Sequence, residues 1–312
     1  MNDNLFQWSF QISGLLPDLV KLEDGVWLKK NEILLQSKGD NLFAYVVGNE
    51  SNRDECERKI LSYLHLTSLV STNTVHVVGR SGKSLNSIDD LGPANTFSIL
   101  GRMVIPENLI IEIEREAPLF LGEISRLSER FSSTVSDNKF LQVALDYFFD
   151  SRKMLFEYDS GLVSTVTCLE SMLNENPNDI KYKLSLRAAF LLRAADVDPI
   201  VSFDIFRKAY DMRSKLVHGA TKDIKNIKSS DVSSYVRCLL KIFLILLSSE
   251  ERKNHKTNER KQNLMREIDQ AMLVPENGAN IIAEISRGLR HFNVSSKTLF
   301  ECNETGHRTI PW

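Results

Sequence analysis

The stretch DPIVSFDIFRKAYDMRSKLVHG, residues 198–219, carries its own start and stop signals. Asp198 offers a side-chain oxygen to the unpaired amides of a first helical turn. Pro199 follows at the first helical position, where a missing N–H costs nothing. Gly219 supplies the end, because glycine enters the left-handed conformation after a last turn without a Cβ penalty. The spacing therefore predicts a helix from Ile200 to His218. Arg213 and His218 fall within its final turns. Five positions along a helix amount to a rotation of about 140° and a rise of about 7.5 Å. The two residues share no face, so they converge only if Arg213 reaches along the axis toward an unwinding end. Two readings stand at this point: a C-capping histidine beside a surface arginine, or a pair that handles phosphate and protons. Histidine changes charge near neutral pH, which suits it to proton transfer.

Around this helix the chain reads as helical from Glu107 onward. Residues 107–134 suggest one long or broken helix, interrupted near Pro118. FLQVALDYFFDSRKML, residues 140–155, is strongly apolar, and Leu162, Val166, Leu169 and Leu173 form a stripe at helical spacing. DIKYKLSLRAAFLLRA, residues 179–194, is a further helix. Ser230 or Asp231 opens the next, which runs through CLLKIFLILL, residues 238–247. Two shorter helices are expected at about 258–273 and 279–290, ahead of a tail ending in HRTIPW.

The first hundred residues read differently. GVWLKKNEILLQS is two short strands around a Lys-Lys-Asn-Glu turn, LFAYVVGN is another strand, and NTVHVVG and NTFSILGRMVI are β-rich. RDECERKILSYLHLTSLV has helical spacing, with Ile60, Leu64, Leu66 and Leu69 along one side. At 312 residues the chain has room for two cores. The expected organisation is a small α+β domain over 1–105 with a sensing or regulatory role, a connecting helix over 106–134, and an all-α helical-bundle domain over 135–312.

Charge follows the same division. Residues 1–129 carry 12 Lys and Arg against 18 Asp and Glu, whereas residues 130–312 carry 27 against 23. Within 207–228, seven basic residues (Arg207, Lys208, Arg213, Lys215, Lys222, Lys225 and Lys228) face two acidic ones. Such a segment is either a solvated face followed by a lysine-rich loop or a surface for a polyanion such as RNA.

Other function classes find little footing. GRSGKS, residues 79–84, resembles a phosphate loop only in part, because Val77 stands where the first glycine is required. Cys302 and His307 have a ligand-like spacing but no second pair, and the remaining histidines are dispersed, so no metal site is expected. Cys56, Cys168, Cys238 and Cys302 form no CxxC pair, as befits a reduced, cytoplasmic protein. The apolar run at 238–247 is too short to span a bilayer and contains Lys241, so it reads as a buried helix. MNDNLFQWSF lacks the features of a signal peptide.

YDMRSKLVHG resembles the signature that ends a core helix in the Apea-like branch of the HEPN superfamily. HEPN ribonucleases carry Arg-x4–6-His, and Arg213 and His218 have four residues between them. The resemblance extends to ALDYFFDSRKMLFEYDSGLVSTVTCLESML, similar to the opening helix pair, to LSLRAAFLLRA, similar to the next helix, and to REIDQAMLVPE at 266–276, similar to the closing segment. It spans about residues 130–276. Serine at 214 stands where the wider superfamily often has Asn, Asp or His, and Ala220 replaces the tyrosine that is nucleotidylated in some HEPN toxins.

The resemblance implies an all-α domain that forms a homodimer, with two motifs facing each other across a cleft, and a metal-independent endoribonuclease without a cofactor. Carried onto this chain, His218 is the general base or acid and Arg213 holds the phosphate. Ser214, Glu170 and Arg187 support them, and Lys208, Lys215, Lys222 and Lys225 bind RNA. Glu170 lies at the edge of an apolar stripe and needs a cation, either Arg187 or Arg213; a structural ion pair and a catalytic role are both open to it. The branch is met mostly in prokaryotic defence against phage, which implies a trigger-sensing or restraining protein partner. The alternative is a catalytically silent HEPN scaffold for dimerisation or RNA binding.

Overall fold

In the computed structural model of the chain, the described residues are 6–13, 26–28, 33–38, 41–48, 55–57, 60, 69, 76–84, 98–99, 117–153, 158–175, 179–219, 229–257 and 259–292. They are mostly helical and fall into two compact units, with the boundary after Ser132.

The strands of the first unit are β1 (Phe6–Ser13), β2 (Val26–Leu28), β3 (Ile33–Lys38), β4 (Asn41–Gly48), β5 (His76–Ser84) and β6 (Ser98–Ile99). They form one antiparallel sheet in the order β2-β3-β4-β1-β5-β6. The expected pair flanking the Lys-Lys-Asn-Glu turn is β2 and β3, joined with Val26 opposite Leu35. The central strand β1 was not among the expected strands, although Phe6, Trp8, Phe10 and Ile12 alternate with polar residues as a strand requires. Gln7 and Ser9, on the polar side of this alternation, are fully buried, and the Gln7 amide donates to the Ser9 hydroxyl. GRSGKS is no loop. It completes β5, with Gly79 opposite Gln11 and Gly82 opposite Trp8, which leaves no phosphate cradle at a helix start. Ile60 and Leu69 are helical and buried; Leu64 and Leu66 lie outside the described residues.

The helices are α1 (Ala117–Ser136), α2 (Lys139–Lys153), α3 (Tyr158–Leu173), α4 (Ile180–Leu192), α5 (Pro199–Val217), α6 (Ser229–Leu247), α7 (Glu250–Lys253), α8 (Arg260–Leu273) and α9 (Pro275–Leu289). Pro118 interrupts nothing, because it lies in the first turn of α1, where no amide partner is lost. Of the expected span 107–134, residues 107–116 lie outside the described residues.

The second unit is organised around α6. Every residue from Cys238 to Leu247 is buried, so this part of the helix has no solvent face and must be surrounded. It contacts α2, α3, α4, α5, α7 and α9. Among the described residues no helix is long and apolar enough to cross a membrane. Arg252 of α7 then ties three helices together. Its guanidinium engages Glu267 of α8 and Glu284 of α9 and donates to the Leu246 carbonyl at 3.0 Å. The helix expected to start near residue 279 begins at Pro275, again a first-turn proline. Gly278 is inside α9. A Cβ there would lie 2.7 Å from the Ala271 carbonyl oxygen, so glycine lets α8 and α9 approach closely.

Lys241 is the exception within α6: it is 1% exposed, and its ammonium lies 5.7 Å from the Phe292 ring centroid. Burial lowers its pKa to about 8, and the nearby Arg237 charge adds to the fall. The neighbouring Cys238 thiol is pushed up to about 11 by burial, so it supplies no anion at neutral pH. The folded state therefore holds this proton less tightly than the unfolded chain. The cost is complete below pH 8 and is relieved as pH rises from about 8 toward 10.5, which makes this group's contribution to stability increase with pH. Lys241→Met is expected to be more stable than wild type at pH 7 by about 3 kcal/mol, with the difference shrinking by pH 10. Urea midpoints of both proteins across that range check it; parallel pH profiles would refute the assignment.

Candidate functional site

The local sequence of α5 explains where its end falls. Asp198 accepts hydrogen bonds from the amides of Ile200 at 2.8 Å and Val201 at 3.1 Å, and Pro199 occupies the first position. At the other end Gly219 has φ 77°, and its amide donates to the Leu216 carbonyl at 3.1 Å. His218 is the capping residue, with φ −91° and ψ 11°, and its amide donates to the Ser214 carbonyl at 3.1 Å. The expected boundaries of this helix hold to within one residue, and His218 is exposed.

Between these ends, Ser202, Phe206, Ala209 and Met212 form the buried side of α5. Arg213 and Tyr210 follow Met212 and Ala209 by one position and so stand at the edge of that stripe. On α3, Leu162, Val166, Leu169 and Leu173 are buried as their spacing predicts, and Glu170 stands at the corresponding edge. Packing α3 against α5 brings the two edges together. An Arg213 η nitrogen lies 3.4 Å from a Glu170 carboxylate oxygen, with the side chains 27% and 19% exposed. The pKa of Tyr210 is raised, first by burial and then by the Glu170 charge, against the opposing charge of Arg213. The Arg213 ε nitrogen is buried and has no hydrogen-bond partner among the described residues.

Of the two cations considered for Glu170, the structure selects Arg213. Arg187 is committed elsewhere: it donates to Asp269 at 2.7 and 2.6 Å, to Glu175 at 3.2 Å and to the Leu173 carbonyl at 2.6 Å. Burial works against its charge, but the hydrogen bond and charge of Asp269, with help from Glu175, raise its pKa above the ordinary value. Arg187 thus joins α4 to the end of α3 and to α8, and does not meet Glu170. Ser214 is half-buried, and Lys208 and Lys215 are exposed on α5. Lys222 and Lys225 lie outside the described residues, as do Cys302 and His307. Among the described residues no group of three or more His, Cys, Asp or Glu is arranged to hold a metal ion.

Tyr210 was not singled out from sequence. Its signal was its position three residues before Arg213, which places both on one helical face. The Glu170 charge that acts on both, however, lies 40 residues before Tyr210 in the chain, and only packing brings it there.

No known protein family, curated protein or solved structure matches the chain.

The division of labour between the two arginines is testable. Arg187→Met is expected to lower stability by about 2–3 kcal/mol, since it strips charged hydrogen bonds from Glu175, Asp269 and a buried carbonyl. Asp269 is 46% exposed, so water recovers part of its loss. Urea unfolding of the variant checks the value, and an unchanged midpoint would show that the tie carries no net weight.

Proposed function

We propose that the C-terminal end of α5 is the active site of a HEPN-type, metal-independent endoribonuclease. One observation carries this reading more than any other. Arg213 is held by Glu170 through an η nitrogen, has a buried ε nitrogen without a partner among the described residues, and lies on the same helix end as an exposed histidine. The Arg213 side chain is 27% exposed, so the guanidinium is open to an acceptor from outside. Arginine's planar fork matches phosphate oxygens, and a preorganised cation is worth most where negative charge grows.

In this reading His218 takes the proton from a ribose 2′-OH. The 2′-oxygen attacks the adjacent phosphorus, the bond from phosphorus to the 5′-oxygen breaks, and that oxygen leaves with a proton. The products are a 2′,3′-cyclic phosphate and a 5′-OH. Arg213 neutralises the phosphate oxygens during the attack. His218 supplies acid–base capacity, and its exposure leaves the ring open to substrate. Lys208 and Lys215 on the same helix, with Lys222 and Lys225 beyond it, bind the RNA backbone. Exposed apolar residues on α5, including Ile200 at 73% and Val217 at 54%, support a homodimer that covers them. The α+β N-terminal domain serves as the sensing or restraining part, in keeping with a cytoplasmic defence effector.

The test is incubation of a mixed cellular RNA pool with wild type, His218→Ala and Arg213→Ala in EDTA, followed by end-group analysis. Wild type is expected to leave cyclic phosphate ends, and each variant to lose at least about 100-fold in rate. Equal cutting by wild type and His218→Ala would overturn the assignment. RNA binding without cutting by any of the three would favour a silent scaffold.

A further inference from the structure

The flank shared by α4 and α5 carries an aromatic surface set among cations. Tyr182, in the first turn of α4, is 57% exposed, and Leu186, one turn on, is exposed too. The Tyr182 ring meets the Phe203 ring of α5 at 83°, with centroids 5.7 Å apart. The Arg207 guanidinium carbon lies 5.6 Å from the Phe203 centroid. Phe203 is thus engaged by two neighbours, whereas more than half of Tyr182 stays in water. Lys183 is exposed beside Tyr182, and Arg207, Lys208 and Lys215 are exposed along α5. Two exposed carboxylates lie on the same helices, Asp204 and Asp211. Lys181 pairs with Asp211 at 2.9 Å, which leaves Asp204 against four cations. Arg207 is one turn from both carboxylates, yet among the described residues it pairs with neither and lies against the ring instead.

We infer that Tyr182, braced by Phe203 and Arg207, is a stacking subsite for an unpaired base of single-stranded RNA. The inference rests on the ribonuclease reading for the class of ligand and adds the strandedness of the substrate. An exposed ring offers its face to any base, and the surrounding cations answer the phosphates on either side. A base held within a duplex has no free face, so the strand must be unpaired where it crosses α4. Phe203, Arg207 and His218 follow one another at intervals of four and eleven residues, which places them on one side of α5. At about 1.5 Å per residue, Phe203 stands about 22 Å from His218 along the axis. A strand following α5 therefore reaches both the stacking subsite and the exposed histidine, with several nucleotides between them.

The test is binding of a fluorescein-labelled 2′-O-methyl RNA of about 12 nucleotides, without self-complementarity, to the full-length protein, followed by anisotropy. This probe has no free 2′-OH and so is not consumed. Tyr182→Ala is expected to weaken binding about tenfold, the loss of one stacked base, and Tyr182→Phe to bind as wild type does. Tyr182→Leu keeps apolar area without a ring and should behave as the alanine variant. The salt dependence of binding should be unchanged in Tyr182→Ala, whereas Lys208→Ala should lower its slope by about one. The same probe annealed to its complement should bind wild type and Tyr182→Ala alike. Because Tyr182 is largely exposed, the fold is expected to survive each change, and thermal melting checks this. Equal affinity of Tyr182→Ala and wild type for the single strand would overturn the inference, as would Tyr182→Leu binding as well as Tyr182→Phe. Absence of binding by wild type would also overturn it. Dissociation of a dimer by Tyr182→Ala in sedimentation, with RNA affinity unmoved, would assign the surface to a second copy of the chain instead. A wild type that binds the strand through Tyr182 but cuts no RNA would sink the ribonuclease reading and leave the subsite standing.

Discussion

A helix that is apolar on every side cannot stop at one partner. From Cys238 to Leu247, α6 presents no residue to solvent, and the second unit is the arrangement that satisfies this requirement. Six neighbouring helices cover it, and their own buried stripes are the counterparts of its faces. The stripe of Leu162, Val166, Leu169 and Leu173 on α3 and that of Phe206, Ala209 and Met212 on α5 are both spent in this way. Once these stripes are buried, their edges must lie side by side. The meeting of Glu170 with Arg213 is a consequence of covering α6.

The buried arginines show how the bundle is closed at its ends. Arg187 and Arg252 each satisfy carboxylates from two other segments together with a backbone carbonyl at the end of a helix. Carbonyls at helix C-termini lack intrahelical partners, and a guanidinium has enough donors to meet both needs. Arg213 differs from these two. Among the described residues it has one long contact to one carboxylate and a buried N–H with none. The contrast separates two arginines whose donors are spent on carboxylates and a carbonyl from one held by a single long contact.

Lys241 marks a different tension. A lysine at the centre of the most buried helix loses hydration that neither a carboxylate nor its own chemistry restores, and a distant aromatic face offsets only part of it. The bundle tolerates this because the surrounding apolar area is large, and one unfavourable position is outweighed by the rest of α6.

How much of this could be read before folding follows from the range of each signal. Asp198, Pro199 and Gly219 determine the length of α5 through contacts within a few residues, so the placement of Arg213 one turn and a half before a capping His218 was legible directly. The apolar stripes of α3 and the buried nature of α6 were equally local, being matters of period and composition. The central strand β1 was also written in alternation, yet its two neighbours β4 and β5 lie far along the chain, and GRSGKS becomes strand only because β1 is there to pair with it. Gly278 serves a close approach that local sequence does not announce, since the carbonyl it accommodates belongs to another helix. The choice between Arg187 and Arg213 as the partner of Glu170 was undecidable from sequence, because both spacings allow it. Sequence alone determined which residues end a helix and which face each helix buries, since those are set by backbone sterics and periodicity. Tertiary structure alone decided which charged edges meet, since an ion pair depends on the relative rotation of two helices that share no local sequence.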